Sequence, residues 1–415
     1  MTQNSQSRRQ VFKYLVAGSA LPLLSACGSE STAQTGLSIY DPITTVPTAE
    51  GQPMPSGVSL PTNPPAAKTE NSLGFAVIGL GGYALRNMMP SFAACKRAYI
   101  SALVSGNREK CLKVGEAYGI SEDACYSYSN FDDIAQDDRI DAVYIAMPSG
   151  LHKEFAVRAF AAGKHVLCEK PMALSSEDCQ AMIDAAKAAD RKLMIAYRCH
   201  FEPHNLSAME LMQQKAVGDI RMIRTNHHYV TGSSTPKKNW RLAKALAGYG
   251  PLEDYGIYGL QQALYLSGEM PTEISAYMYQ PQSDPRFAEI AAMVGTLMRF
   301  PSGALAELST SYDTRSSNRG VVWGNRGKLT MDPATGYGGH NYVLESDKIQ
   351  KLNPGDPSIQ FSAQMDHLAD AVQNGATIKT PGEMGLRDLR LIEAIGASAK
   401  RGQSVKLNPD GTMRN

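Results

Sequence analysis

The stretch Gly74-Phe75-Ala76-Val77-Ile78-Gly79-Leu80-Gly81-Gly82-Tyr83-Ala84 decides the fold. Its first part, Gly74 to Ile78, is a short apolar run of the kind that makes a strand buried on both faces of a parallel sheet. It leads straight into glycines spaced G-x-G-x-x-A, and a helical pattern continues to about Ala94. Glycines allow a tight turn and a close approach of backbone to a pyrophosphate, which then rests against the positive end of the helix. Strand, glycine turn and helix in this order predict a dinucleotide-binding unit. Gly79, Gly81, Gly82, Tyr83 and Ala84 are its expected phosphate-side residues.

Downstream, Tyr99 to Val104 reads as a second strand that ends about twenty residues past the glycines, where an NAD site carries Asp or Glu for the ribose hydroxyls. Ser105 stands there instead. Ser105-Gly106-Asn107-Arg108-Glu109-Lys110 offers a hydroxyl, backbone donors at a helix start and two cations, which suit a 2'-phosphate and predict NADP over NAD. Further strands at 140–147, 164–168 and 192–196 alternate with helices around 152–162 and 176–189. That alternation predicts a doubly wound parallel sheet.

A chain of 415 residues is too long for one core, so two domains plus extensions are expected. Its 41 basic and 40 acidic residues give a polyanion no electrostatic footprint, which excludes nucleic acid as a partner. Ahead of the fold, Ser7-Arg8-Arg9-Gln10-Val11-Phe12-Lys13 precedes an apolar run from Tyr14 to Leu24, shorter than the roughly 20 residues of a bilayer span. Residues 1–27 resemble a twin-arginine export signal, and Leu24-Ser25-Ala26-Cys27 resembles a lipobox. The expected address is the periplasm, with a lipid on Cys27 as the only membrane contact. Residues 28–72 are rich in Pro, Ser and Thr and lack apolar periodicity, so they read as an arm or tether, either a strap laid over a neighbouring surface or a solvated spacer, and the sequence alone favours the spacer. The cysteines show no C-x-x-C and no Cys/His metal spacing, so buried thiols are expected and no metal ligand is assigned.

The strand His165-Val166-Leu167-Cys168 ends in Glu169-Lys170-Pro171. Charged residues at the carboxyl end of a buried strand point into the crevice where open α/β sheets bind ligands. Later, Trp240-Arg241-Leu242 precedes Asp254-Tyr255-Gly256-Ile257-Tyr258-Gly259, in which Asp254 and Tyr258 are four apart and would share a helix face. These blocks stand in order with the glycine turn, the Ser105 to Lys110 segment and Tyr197-Arg198-Cys199-His200. Further matching blocks are Gly51-Gln52-Pro53-Met54-Pro55, Met331-Asp332-Pro333-Ala334-Thr335-Gly336-Tyr337, and Phe361-Ser362-Ala363-Gln364 before Asp366-His367-Leu368. Together they resemble the glucose-fructose oxidoreductase, inositol dehydrogenase and MocA family, nearest its periplasmic sugar oxidoreductase branch.

The resemblance implies an α/β Rossmann domain over 73–197. It also implies an α+β substrate and oligomerisation domain over 198–415, with an open, mostly antiparallel sheet and C-terminal helices packing back on the first domain. The strand-like runs at 220–230, 272–280, 290–300 and 304–312 fit that sheet. Carried across, Lys170 and Tyr258 become the catalytic pair and Asp254 orients them. Cofactor contacts are implied at Pro148, His152, Glu169, Lys170, Arg198, Trp240 and Arg241. The chemistry is sound: a sugar carbon loses hydride only if a base takes the hydroxyl proton, and a tyrosine of pKa about 10 serves when a cation stabilises its phenolate. Lys170 is the expected cation, and His200 is the next candidate base.

Three features depart from the resembled branch. Phe201 stands where a tyrosine is usual, the loop Gly248-Tyr249-Gly250-Pro251-Leu252-Glu253 is less glycine-rich, and His227-His228 is individual. They bear on glucose and fructose as the particular sugars. The expected function is an exported homo-oligomeric oxidoreductase with tightly bound NADP that oxidises an aldose to a lactone and reduces a second sugar. The alternatives are an NAD(P)-dependent glycoside hydrolase of the same superfamily and a non-catalytic sugar-binding lipoprotein.

Overall fold

The computed structural model describes residues 52–62 and 71–414. The segment expected to be an export signal, Cys27 and most of the arm lie outside the described residues. The first sheet is built from β1 (Leu73–Ile78), β2 (Ala98–Val104), β3 (Cys125–Tyr126), β4 (Ala142–Ile145), β5 (His165–Cys168) and β6 (Leu193–Ile195). Their spatial order is β3-β2-β1-β4-β5-β6 and every pairing is parallel. β1 and β4 are fully buried along their length, which is why both read as unbroken apolar runs rather than alternating ones. Strand order reverses direction beside β1, so the ligand crevice opens at the carboxyl ends of β1 and β4.

Three helices flank this sheet: α1 (Arg108–Tyr118), α2 (His152–Ala161) and α3 (Ser176–Ala188). Asn107 caps α1 by accepting from the Lys110 amide at 2.8 Å, and Ser175 caps α3 by accepting from the Asp178 amide at 3.0 Å. The continuous helix expected after the glycine turn is absent. Ala84–Met88 forms a wide π-type turn and Met89–Ala94 a tight 3-10 segment. Pro90 lacks the amide hydrogen an α-helix needs there, so the ladder cannot run through it.

The second half carries α4 (Pro203–Gln213), β7 (Ile220–Val230), α5 (Lys244–Ala247), α6 (Ile257–Ser267), β8 (Glu273–Tyr279), β9 (Met293–Arg299), β10 (Leu305–Ser311) and β11 (Asp313–Gly324). It continues with β12 (Lys328–Asp332), β13 (Asn341–Glu345), β14 (Ile349–Leu352), α7 (Gln360–Gln373), α8 (Gly382–Arg401) and β15 (Val405–Lys406). The nine strands lie in the order β14-β13-β12-β11-β7-β10-β9-β8-β15, antiparallel except for β7 beside β10. Ile274, Ala276, Val294, Met298, Ala306 and Leu308 turn inward at every second position, as a sheet with one covered face requires.

Two helices tie the halves together. Phe361, Met365 and Leu368 of α7 join the apolar cluster of Phe75, Met88 and Leu103, while Asp366 accepts from the Lys96 and Arg97 amides at 2.9 and 2.8 Å. α8 packs against both α3 and β8. In the described part of the arm, Gln52 to Thr62 lies against the fold as a strap rather than standing free as a spacer. Met54, Val58 and Leu60 are partly buried against the α7 cluster, and the Arg86 guanidinium donates to the Ser56 carbonyl. Cys95, Cys111, Cys125, Cys168, Cys179 and Cys199 are free thiols, buried except for half-buried Cys95.

Candidate active site

The crevice begins at the glycine turn. Gly79 has φ +96°, and a Cβ there would stand 2.5 Å from the Ala146 carbonyl oxygen, so only glycine lets β1 and β4 end so close together. A Cβ at Gly81 would meet open space, and one at Gly82 would stand 3.1 Å from the Arg86 guanidinium. Exposed backbone with a cation above it fits a dinucleotide pyrophosphate. Arg86 is missing from the sequence reading because no motif position marks it.

At the end of β2, Ser105 is buried and its hydroxyl accepts from the Asn107 amide at 3.2 Å, while the Asn107 side chain is spent on capping α1. Of the two cations expected for a 2'-phosphate, Arg108 is committed elsewhere: it pairs with Glu122 at 2.9 Å and donates to the Cys125 carbonyl. Lys110 is buried, and desolvation lowers its pKa. His152 also differs from its expected place. It is fully buried, with ring nitrogens 2.9 Å from the Met147 and Pro171 carbonyls, so it ties the β4 loop to the β5 loop and does not face the cavity. Pro148 leads into the Ser149–Leu151 turn, between the cavity-lining Met147 and Ser149.

Between the strand ends and the second sheet lies a cavity of about 590 Å³. The Rossmann half contributes Tyr83, Glu169 and Lys170 to its wall. Glu169 accepts from the Tyr83 and Tyr144 hydroxyls at 2.6 and 2.7 Å, and burial raises its pKa against those donors and Lys170. The Lys170 ammonium lies 3.5 Å from the Asp254 carboxylate, donates to the Asp254 carbonyl, and sits 4.8 Å from the centre of the Tyr258 ring.

The sheet half contributes the rest. Asp254 accepts from the Tyr312 and Tyr229 hydroxyls at 2.8 and 3.1 Å and pairs with Arg241 at 3.2 Å. Burial alone would raise its carboxyl, but Arg241, Lys170 and the two hydroxyls hold it down to about 2. Arg241 in turn stacks on Trp240 at 4.5 Å. The Tyr258 hydroxyl accepts from Arg198 Nε at 3.2 Å, and the guanidinium also covers the rings of Tyr258 and Tyr337, each at 4.6 Å. Arg198 is locked by Gln360 and by the Thr335 carbonyl at 2.6 Å.

This alters the expected division of labour. The cation hydrogen-bonded to Tyr258 is Arg198, while Lys170 is engaged with Asp254 and touches only the ring face. Burial pushes the Tyr258 pKa up, and Arg198 draws it back only in part. His227 stacks behind Tyr258 at 6.2 Å and bonds Thr335 at 2.9 Å; burial takes its pKa down to about 3, so it is neutral. His200 is held by Gln261 at 2.7 Å and does not line the cavity, which removes it as the substitute base. Phe201 packs on His367 in the α7 cluster and is likewise off the cavity wall, so its replacement of tyrosine leaves no gap beside a sugar.

Polar groups the sequence did not single out complete the wall: Tyr229, Tyr255, Asn318 and Glu253. Asn318 donates to the Tyr255 hydroxyl at 3.1 Å. Glu253 accepts from the Tyr249 amide at 2.9 Å, its other oxygen is buried without a partner among the described residues, and burial raises its carboxyl to about 8. The site therefore offers several hydroxyl and amide groups, two guanidiniums and an ammonium around one cavity, a set suited to a polyhydroxylated ligand beside a group that exchanges protons.

Comparison with known proteins agrees with this geometry. Residues 73–197 match the model described as oxidoreductase family, NAD-binding Rossmann fold, and residues 206–330 match the GFO/IDH/MocA C-terminal domain. The chain is 28% identical to D-xylose 1-dehydrogenase [NADP(+)] of Haloarcula marismortui over 82% of its length and 94% of that protein. It is 32% identical to dTDP-3,4-didehydro-2,6-dideoxy-alpha-D-glucose 3-reductase of Streptomyces violaceoruber over 80% of its length and 97% of that protein. The crystal structure of aldose-aldose oxidoreductase from Caulobacter crescentus complexed with glycerol superposes with a TM-score of 0.78 at 45% identity, covering 81% of this chain and all of that one. Matched in both halves and along four-fifths of its length, the chain belongs to the GFO/IDH/MocA family and is an NAD(P)-dependent sugar oxidoreductase.

Proposed function

We propose that the protein is a periplasmic, lipid-anchored enzyme that keeps NADP tightly bound and passes a hydride between two sugars, oxidising an aldose to a lactone and reducing a second aldose or a ketose. The observation that carries this reading is the meeting of Lys170, Asp254, Tyr258 and Arg198 at one cavity beside the glycine turn. Bound NADP supplies the hydride acceptor of one half-reaction and the donor of the other. Tyr258 exchanges the proton. In reduction its protonated hydroxyl donates to the nascent alkoxide, and Arg198 at its oxygen stabilises the phenolate left behind. In oxidation the same phenolate takes the proton of the sugar hydroxyl. Asp254, held ionised, fixes the Lys170 ammonium over the reacting group.

NADP rather than NAD is favoured by Ser105 in place of a carboxylate, and by the NADP(+)-linked xylose dehydrogenase among its relatives. Reuse of one bound cofactor is favoured by the aldose-aldose oxidoreductase relative and by the twin-arginine signal, since that route carries folded proteins to a compartment with no NADP pool. Association into a homo-oligomer is favoured by Tyr277, Tyr279, Met293 and Leu297, which leave apolar side chains exposed on the outer face of β8 and β9. The test is to purify the protein without added cofactor, identify the dinucleotide by mass spectrometry, and follow the reduced-nicotinamide absorbance on adding single aldoses. Reduction by an aldose alone, reversed by a second sugar, is the expected result. Cofactor-free protein without dinucleotide affinity would overturn the proposal.

A further inference from the structure

Behind Arg198 lies a group of side chains that the catalytic reading leaves unused. Glu202 caps α4 and is completely buried. One carboxylate oxygen accepts from the Asn205 amide and side chain at 2.8 and 2.6 Å. The other accepts from the His204 amide at 3.0 Å and faces His204 Nδ1 at 2.7 Å. His340, from the loop between β12 and β13, stacks on His204 with ring centres 4.3 Å apart and planes 11° apart. Both ring nitrogens of His340 are buried without a partner among the described residues. An imidazole with neither nitrogen bonded within the protein is costly unless water or an ion meets it. One donor atom from each of Glu202, His204 and His340 lies within 4.8 Å of the others.

We propose that Glu202, His204 and His340 bind a divalent transition-metal ion, zinc by the nature of the donors. Two imidazoles and a carboxylate with room for a water make a usual zinc set at about 2.0–2.2 Å, whereas calcium and magnesium want oxygen alone. The ion enters between His204 Nδ1 and the Glu202 oxygen, and the proton those atoms share leaves to solvent. His340 completes the set by turning about its Cβ–Cγ bond. The supporting shell is in place: Asn205 fixes the second carboxylate oxygen, and the Tyr265 hydroxyl fixes Asn205. Exposed Gly338 and Gly339 beside half-exposed His340 leave a way in.

None of the three ligands lines the catalytic cavity, so the ion stands apart from the reacting groups. The loop that carries His340 also carries Thr335, Gly336 and Tyr337 of the cavity wall. Its Ala334 carbonyl accepts from Asn205 at 3.1 Å and its Thr335 carbonyl from Arg198 at 2.6 Å. Zinc would brace this loop against α4 directly behind the guanidinium that serves Tyr258.

The test uses holoenzyme stripped with a chelator and then titrated with Zn2+ and with Co2+, the metal being counted by mass spectrometry. One zinc per chain, a visible tetrahedral cobalt spectrum and a zinc-dependent rise in melting temperature are expected. His340→Ala and His204→Gln should each weaken zinc by more than the about 10- to 100-fold that outer-shell changes cost, with bound dinucleotide retained. Wild-type enzyme that takes up no zinc at micromolar free metal, or His340→Ala that binds zinc as tightly as wild type, would overturn the proposal.

Discussion

The two walls of the cavity work by different physics. On the Rossmann side the working element is backbone: Gly79 at φ +96° and the open space over Gly81 make room for a ligand whatever the distant chain does. On the sheet side it is side-chain partnership, and Glu253 and Asp254 show how much that matters. They are adjacent in sequence and both line the cavity. Asp254, its side chain 19% exposed, meets Arg241, Lys170 and two tyrosine hydroxyls and is held to about 2. Glu253, 2% exposed, accepts from backbone amides, meets no cation among the described residues, and rises to about 8. Burial pushes both carboxyls the same way; the partners brought from elsewhere decide which one ionises.

The largest expected effect tests the sheet-side wall. Tyr258→Phe removes the proton-exchanging hydroxyl and little volume, so turnover in each half-reaction should fall by about 100- to 10,000-fold with dinucleotide still bound. Single-turnover reduction of the bound cofactor by an aldose measures this, and near wild-type rates would break the assignment. Lys170→Ala should be at least as damaging, because it removes the ammonium over the Tyr258 ring and one of the two cations that hold Asp254.

Next in size, Asp254→Asn leaves Arg241 and Lys170 facing a neutral amide. Breaking such a buried pair costs about 3–5 kcal/mol as an upper range. Denaturant unfolding should show a loss of a few kcal/mol, and an unchanged midpoint would mean that the two hydroxyls alone suffice.

On the Rossmann side, Ser105→Asp places a carboxylate where a 2'-phosphate would sit. One charge-assisted hydrogen bond of about 1.5–3 kcal/mol is at stake, so the NADP-to-NAD preference should move by on the order of tenfold to a hundredfold toward NAD. Competition binding of the two dinucleotides reads this directly. No movement would show that the end of β2 does not read the ribose.

A separate test sharpens the contrast of the two carboxyls. The pKa of Glu253 is raised on folding, from an ordinary 4.5 to about 8, so the native state binds the extra proton between those values. Stability should therefore decline as pH rises from about 4.5 to 8 and level off above. Glu253→Gln removes that slope, gaining up to a few kcal/mol on the wild type at pH 9 compared with pH 5. An equal difference at both pH values would show that Glu253 finds a partner when ionised.

Much of the Rossmann half was legible because each strand is a short apolar run bounded by a turn. Tyr99 to Val104 and 164–168 lie within a residue of β2 and β5. The runs at 220–230 and 304–312 likewise fall on β7 and β10. β11 to β14 went unread: most of β11 is polar and at most half-buried, and its place depends on pairing with β7 far upstream. The same limit set the spacer reading above the strap, because Met54, Val58 and Leu60 are too sparse to signal a packed surface until α7 supplies one.

In the site, residue types at strand and helix ends were readable: Glu169-Lys170 after β5, Asp254 and Tyr258 before and within α6. Their partners were not. That Arg198 rather than Lys170 bonds Tyr258, that His152 bridges two backbone carbonyls, and that His340 meets His204 all depend on contacts between segments far apart in the chain. By itself the sequence determined the glycine turn, the alternation that makes the parallel sheet and the inventory of ionisable groups, because these rest on local backbone preference and on apolar periodicity. The tertiary structure alone decided which groups are charged and which pairs bond, because desolvation and hydrogen bonding act over a few ångströms in space, irrespective of distance along the chain.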